Sequence, residues 1–328
     1  MAYTTINKSS DYFNTKLYTG NGSTQSITGV GFQPDWLWIK NRDGTNNHIL
    51  QDAVRGATKS LESDGTGAET TSSTRVTSFD SGGFSIGSAG TNNTNTNNYV
   101  SWNWKANGAG VSNTDGSITS TVSANTTSGF SVVTYTGTGA TATVGHGLGV
   151  KPSLIIIKGR SNSGSWGTYH TSLGATKKII LSSTAGSVSS GWMNNTEPTT
   201  SVFTVVNDAD VGSSGYTYVA YCFAEKSGFS KFGSYTGNGN ADGTFVYTGF
   251  RPAFVIFKLS SASGEHWGIL DNKRDTFNET DTLLFANLNQ AEQSGGDVDF
   301  LSNGFKHRGT DGRSNSSGAT YIYMAFAS

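Results

Sequence analysis

The chain of 328 residues contains one cysteine, Cys222, and only four prolines. A single cysteine excludes an internal disulfide framework and a cysteine-based zinc site. Charged residues make up 14% of the chain and the formal net charge is −1, so neither a nucleic-acid partner nor binding to a membrane surface is expected. The apolar runs are far shorter than the roughly 20 residues of a spanning helix. The N-terminus lacks a signal-peptide pattern, and we expect a soluble protein made in a cytoplasm.

Glycine, by contrast, is abundant, with 43 residues, and aromatic residues reach 12%. Serine, threonine and asparagine are also frequent, whereas leucine is scarce. This mixture suits short strands joined by many turns and disfavours long helices. The composition therefore favours an all-β protein.

A proline followed by a short apolar run is the strongest repeat in the sequence. The three copies are Phe32–Lys40, Val150–Lys158 and Phe250–Lys258. Proline lacks a backbone N–H, so it is tolerated at the start of a strand and not inside it. The apolar run shows no alternation and is too short for a buried helix, which predicts a strand buried on both faces. The predicted strands are Trp36–Ile39, Leu154–Ile157 and Phe254–Phe257. The closing lysine of each copy is expected where the strand returns to solvent.

Other motifs recur around these copies at matched spacing, which indicates internal repeats. The motif Tyr-Thr-Gly-x-Gly begins at Tyr18, Tyr135 and Tyr235, which lie 16, 17 and 17 residues before the proline. The predicted organisation is a leader at 1–12, module one at 13–105, a Gly/Ser/Thr-rich linker at 106–128, module two at 129–226 and module three at 227–328.

Within each module, strand and turn signals alternate at short intervals, as in β-sandwiches and jelly rolls. Hairpins are predicted at 79–84 and 300–305, and an aromatic strand closes each module. The one helical candidate, 52–59, is weakened by Gly56. The sequence therefore predicts an all-β fold of three tandem β-sandwich or jelly-roll-like modules. These pack around a pseudo-threefold axis or form a string of beads, and the aromatic strand 99–104 favours packing.

Catalytic and metal-binding patterns are weak. The five histidines show no His-x-His or His-x3-His pair. Asp52 and Asp271 occupy equivalent positions, where module two has His170. They are interpreted either as strand-end residues or as a carboxylate pair for glycoside hydrolysis. We expect no catalytic residue, cofactor or metal. Trp192, in a Ser/Gly/Asn loop, is expected to be exposed and is the candidate binding residue.

With the repeats in view, the sequence resembles a module that is widespread in tailed phages of marine bacteria, notably cyanophages and pelagiphages. The resemblance rests on the segments 18–42, 52–64, 78–88 and 97–106, which read YTGNGSTQSITGVGFQPDWLWIKNR, DAVRGATKSLESD, SFDSGGFSIGS and NNYVSWNWKA. It covers most of module one and thins to the repeat skeleton in the other two. It implies a virion structural protein of the tail-fibre-like or capsid-associated kind, and it supplies no catalytic residue.

The expected function is that of a non-enzymatic virion surface protein, assembled in the host cytoplasm. A capsid-surface knob or decoration protein, with the major capsid protein as partner, is the first hypothesis. The second is a tail adhesin that is attached to a tail protein and contacts a host surface glycan, and the third is a polysaccharide depolymerase. The leader is expected to attach the protein to the particle by adding to a sheet edge. The candidate attachment residues are Tyr3, Ile6 and Tyr12.

Overall fold

The structure is a computed structural model that describes residues 4–328. The fold is all-β, as predicted, and all its strand pairs are antiparallel. The elements of the first part of the chain are a 3-10 helix (Ser9–Asp11), β1 (Phe13–Thr19), β2 (Gln25–Thr28), β3 (Trp36–Asn41), β4 (Ile49–Asp52), β5 (Lys59–Ser60), β6 (Thr70–Thr71), β7 (Val76–Asp80), β8 (Gly83–Ile86), α1 (Gly90–Asn93) and β9 (Asn98–Trp104).

The middle of the chain contributes ten strands. These are β10 (Val111–Asn113), β11 (Ser120–Asn125), β12 (Phe130–Thr136), β13 (Ala142–Gly145), β14 (Leu154–Gly159), β15 (Gly167–His170), β16 (Lys177–Ile180), β17 (Val188–Ser189), β18 (Val202–Val205) and β19 (Thr217–Phe223). The last part adds β20 (Ser230–Thr236), β21 (Phe245–Tyr247), β22 (Phe254–Leu259), β23 (Gly268–Asp271), β24 (Leu284–Phe285), β25 (Val298–Leu301), β26 (Gly304–His307) and β27 (Thr320–Phe326).

One strand order recurs in the three larger sheets. It is β1-β9-β3-β4 in the first, β12-β19-β14-β15 in the second and β20-β27-β22-β23 in the third. The strand after each repeated proline therefore lies inside a sheet, next to the aromatic strand that closes the module. All residues of β3, β14 and β22 are buried, which confirms the three strand predictions.

A smaller sheet accompanies each larger one. The smaller sheets have the orders β2-β8-β7, β13-β18 and β21-β26-β25. The two predicted hairpins are present as β7–β8 and β25–β26. Residues 52–59 form no helix: they end β4, turn and begin β5, because the Asp52 carboxylate accepts the Arg55 N–H and Gly56 has a φ of +97°.

The predicted linker at 106–128 is corrected by the structure. It contains β10 and β11, which extend the second large sheet beyond β12. The alternating Thr, Val and Ser of this segment allow it to pair, and backbone hydrogen bonds to β12 fix it as a strand. Module two therefore begins before residue 129, and module one is not held on a flexible tether.

Four apolar clusters form the interior. Three of them lie within single modules. The fourth, here called the central cluster, combines large aromatic residues from all three modules: Phe13, Trp36, Trp102, Trp104, Phe130, Tyr221, Phe223, Phe254 and Phe326. The ring centroids of Trp36 in module one and Tyr221 in module two lie 4.4 Å apart. These contacts contradict a string of beads, because each module buries aromatic surface against the other two.

Candidate functional site

Trp192, predicted to be exposed, is buried, with 1% of its surface accessible. Its indole N–H donates to the Lys177 carbonyl at 3.2 Å. A Cβ atom added to Gly167 would lie 2.8 Å from the ring, so the ring fills the space that this glycine leaves. Trp192 is therefore a core residue of module two and not a free binding residue.

The candidate attachment residues pack against this chain where the structure describes them. Ile6 is buried in the central cluster. The Tyr12 ring packs edge-on against Phe229 with centroids 6.2 Å apart, and the Tyr12 carbonyl accepts the Lys105 N–H at 2.9 Å. Tyr3 lies outside the described residues. The prediction that Ile6 attaches the chain to a particle is therefore corrected, because its side chain completes this chain's own core. Tyr12 is only partly buried, and its role in attachment stays a prediction.

The lysines that close the repeated strands do not return to solvent, contrary to the prediction. Lys40, Lys158 and Lys258 are all fully buried. Each ammonium group donates to the carbonyl of the following residue, at 2.7, 2.8 and 2.8 Å respectively. Burial lowers the pKa of all three to about 8. The carbonyl groups that surround them take the place of water.

Two of these lysines also bridge neighbouring modules. The Lys158 ammonium donates to the Thr66 carbonyl of module one at 3.2 Å, and the Lys258 ammonium donates to the Thr184 carbonyl of module two at 3.3 Å. For Lys158 and Lys258, the burial that the sequence did not predict thus comes from loops of the preceding module.

A side chain just before β4, β15 or β23 also contacts a carbonyl group of a neighbouring module, and it does so at all three junctions. The Trp166 indole N–H of module two donates to the Glu62 carbonyl of module one at 2.9 Å. The Trp267 indole N–H of module three donates to the Ile180 carbonyl of module two at 3.0 Å. In module one the equivalent side chain is His48, whose Nε2 lies 3.2 Å from the Leu288 carbonyl of module three. The modules therefore contact one another in a closed cycle, and a pseudo-threefold axis stays a prediction.

A buried ionic network links modules one and two. Arg55 pairs with Asp52 and, at 3.0 Å, with Glu69. Glu69 also pairs with Arg160 of module two at 2.9 Å. The Tyr221 hydroxyl, again from module two, donates to Asp52 at 2.9 Å. The Asp52 carboxylate is thus fully engaged at a junction.

The junction of modules three and one repeats this network. Arg274 pairs with Asp271 at 2.6 Å and lies 3.7 Å from Glu292. Glu292 pairs with Arg42 of module one at 2.7 Å. The Trp102 indole N–H donates to Asp271 at 3.1 Å. Asp52 and Asp271, the candidate carboxylate pair for glycoside hydrolysis, are therefore buried, ion-paired and placed at different junctions.

At the junction of modules two and three, the network is neutral. His170 stands in place of the two aspartates, and its Nε2 lies 3.1 Å from the Tyr323 carbonyl. The Ser187 N–H and hydroxyl both donate to the Ser260 carbonyl, at 2.9 and 3.0 Å. Burial lowers the pKa of His170 to about 4, so this ring is neutral near pH 7.

Exposed aromatic residues occur together on β21, the edge strand of the small sheet of module three. Phe245 and Tyr247 are 43% and 59% exposed, and they flank the buried Val246. Side chains two residues apart on a strand share one face. The equivalent outward positions carry Ser26 and Thr28 in module one.

The surroundings of these rings suit a ligand contact. The Phe245 ring lies over Gly304, where an added Cβ would meet it at 2.9 Å. Phe245 pairs across the strands with Lys306, whose ammonium binds Asp242 at 2.5 Å. The arrangement combines flat apolar rings with adjacent polar groups. We call Phe245 and Tyr247 the aromatic edge. The aromatic edge was not predicted from the sequence. The aromatic residues on either side of Val246, where the other modules have small residues, are the signal that indicates it.

The described part of the chain contains neither a candidate membrane span nor a candidate metal cluster. No helix among residues 4–328 is long and apolar enough to cross a membrane. Within the same residues, no group of three or more His, Cys, Asp or Glu side chains could hold a metal ion.

The comparison with known proteins identifies a family but no function. No curated protein matches the chain. A family model described as "Domain of unknown function (DUF7483)" matches residues 8–328, which include all three modules. The chain therefore belongs to the DUF7483 family.

Proposed function

We propose that this chain is a non-enzymatic protein of the phage virion surface and acts as a capsid knob or decoration protein bound to the major capsid protein. The observation that carries the proposal is the closed cycle of junctions, which joins three modules into one body around the central cluster. A single body of this kind suits a structural role, which depends on a stable shape rather than on a catalytic site. The resemblance of module one to phage virion modules supplies the location.

Copy number on the particle tests this proposal. A decoration protein is present in many copies on the capsid shell, and the purified protein rebinds emptied capsids. Cryo-EM of intact particles, with density of this size and three β lobes, is the direct measurement. Density confined to the tail would overturn the proposal in favour of the adhesin.

The aromatic edge favours a second candidate, a tail adhesin that contacts a host surface glycan. Flat aromatic rings complement the apolar faces of pyranose sugars, and an exposed aromatic pair marks a contact site more often than a structural need. Phe245 and Tyr247 replace Trp192 as the residues to test.

Host-cell binding by the purified protein separates the two candidates. In the adhesin, the double variant Phe245→Ser and Tyr247→Thr, which installs the residues of module one, abolishes binding and leaves the fold intact. Val111→Ser is the matched control, because Val111 is 70% exposed but lies in module two. Equal loss in both variants would indicate general adhesion of apolar surface and would contradict a specific glycan site.

A further inference from the structure

The edge of the large sheet differs between modules one and two. In module two, β11 pairs antiparallel with β12, and Ser123 lies opposite Val132. In module one the equivalent edge strand is β1, which pairs only with β9. The outer edge of β12 is therefore occupied by a further strand, whereas the equivalent edge of β1 is not.

The register of β1 shows which backbone groups are free. The Tyr12 carbonyl and the Gly20 N–H bond toward the β9 side, so Thr15 and Leu17 direct their N–H and C=O groups away from β9. Phe13 does the same but is fully buried. Among the described residues, no backbone or side-chain group bonds to the main chain of Thr15 or Leu17. A row of unpaired backbone groups is a template for another strand.

A groove of about 320 Å³ follows this edge, lined by Asn14–Leu17, Gly29 and Lys273. Thr15 as a whole residue is 4% exposed, and its hydroxyl, which is enclosed by this chain, has no partner among residues 4–328. In module two the equivalent position is apolar Val132.

The charge at the edge is positive. Lys16 extends from β1 to the region of Gly29, and Lys273 reaches the groove from module three. Neither lysine has an ion-pair partner in the described part of the chain. In module three, by contrast, the chain's own Glu225 approaches the equivalent edge, where its carboxylate accepts the Phe232 N–H at 3.5 Å.

We propose that the open edge of β1 binds an extended, acidic strand of a partner polypeptide, which adds antiparallel to β1 as β11 adds to β12. Main-chain hydrogen bonds supply the affinity, and acidic side chains that meet Lys16 and Lys273 supply the selectivity. A second copy of this chain is disfavoured, because pairing β1 with β1 brings like charges together. The proposal does not depend on where the protein is located.

Two synthetic peptides test the proposal on the full-length chain. The first has the sequence of Thr119–Thr126, which contains β11, and the second carries Glu in place of Val122, the residue that would face Lys16. Amide hydrogen exchange of Thr15 and Leu17 is followed by NMR. Both peptides are expected to slow this exchange, and the acidic peptide is expected to bind about fivefold more tightly at low salt.

Variants on the protein side complete the test. Lys16→Glu is expected to reverse the order of affinity, so that the acidic peptide binds more weakly than the neutral one. Lys177→Glu, at an exposed lysine of module two, is expected to leave the order of affinity unchanged. Leu17→Pro removes one outward N–H and weakens both peptides, while circular dichroism confirms that the sheet is retained. If neither peptide protects Thr15 and Leu17 at millimolar concentration, or if Lys16→Glu has no effect, the lysines merely prevent edge pairing and the proposal fails.

Discussion

Asp52 and Arg55 show at the level of single residues how charge is used in this chain. Both side chains are fully buried, three residues apart, and they meet partners from module two. A buried ion pair contributes little net stability, but removal of one partner leaves an uncompensated charge. The pair therefore makes the junction intolerant of change.

Arg55→Met is expected to lower the free energy of unfolding by about 3–5 kcal/mol, because it strands the Asp52 carboxylate in the interior. Urea denaturation followed by fluorescence measures the change. The matched control is Arg75→Met, which breaks a partly exposed pair with Glu62 and should cost no more than about 1 kcal/mol. An equal loss in the free energy of unfolding for the two variants would contradict a larger contribution from the buried ionic network.

Trp192→Ala is expected to destabilise the protein by about 3–5 kcal/mol, through loss of buried surface and the cavity that remains. Thermal unfolding measures this loss. The replacement should act on stability and not on surface binding, because the ring is enclosed by module two. An unchanged melting temperature would mean that the loop holding Trp192 opens in solution.

At the level of strands, glycine decides how closely neighbouring strands of the small sheets approach. A Cβ atom at Gly83, the first residue of β8, would lie less than 2 Å from the Ile27 carbonyl of β2. The equivalent Gly304 of β26 faces the Val246 carbonyl of β21 in the same way. Backbone atoms cannot move aside as a flexible side chain can.

Gly83→Ala is therefore expected to cost about 1–3 kcal/mol, since β2 must shift away from β8. Gly82→Ala is the control, because an added Cβ there meets no atom within 4 Å. Hydrogen exchange of the β2 amides locates the effect. Comparable stability of the two alanine variants would contradict the close approach.

Strands were predictable from sequence where local chemistry determines them. The proline and apolar run specify β3, β14 and β22, and the flanking Gly and Asn turns specify the two hairpins. Residues 106–128 were misread because composition alone cannot distinguish a polar strand from a linker when pairing to β12 decides the outcome. Trp192 was misread because its loop has the composition of a surface turn, and the space beside Gly167 comes from a distant strand.

For the whole molecule, several of the contacts that could not be predicted from sequence lie between modules. Lys158 resembles a residue at the solvent end of a strand until the Thr66 carbonyl of module one covers it. His48 forms no recognisable motif until Leu288 of module three is brought to it. These contacts join positions far apart in the chain, so neither periodicity nor spacing could reveal them.

Acid should weaken the whole molecule. Burial lowers the pKa of His48 and His307 to about 3 and that of His170 to about 4. As the pH falls below about 6.5, the unfolded chain binds protons that the folded chain does not, so stability falls. Asp64, whose pKa is raised to about 6 by burial, opposes this with a single proton.

The expected loss is about 2 kcal/mol per buried histidine between pH 7.5 and 5, and Asp64 offsets part of the sum. Urea denaturation at several pH values measures the slope. His170→Gln, whose amide can still donate to the Tyr323 carbonyl, should reduce the slope by one proton. A stability that is flat from pH 7.5 to 5 would contradict the burial of neutral rings.

The central cluster predicts that the three modules unfold together. Trp36, Phe130 and Phe254 come from different modules and lie in one apolar core, so the loss of one module exposes aromatic surface of the other two. Differential scanning calorimetry of the full chain should show one transition, and Trp36→Ala should move all of it to lower temperature. Trp192→Ala, within module two, should also shift the single transition, because the junctions transmit the loss. Separate transitions, or a variant that displaces only one of them, would show that the modules are independently stable and that the junctions only align them.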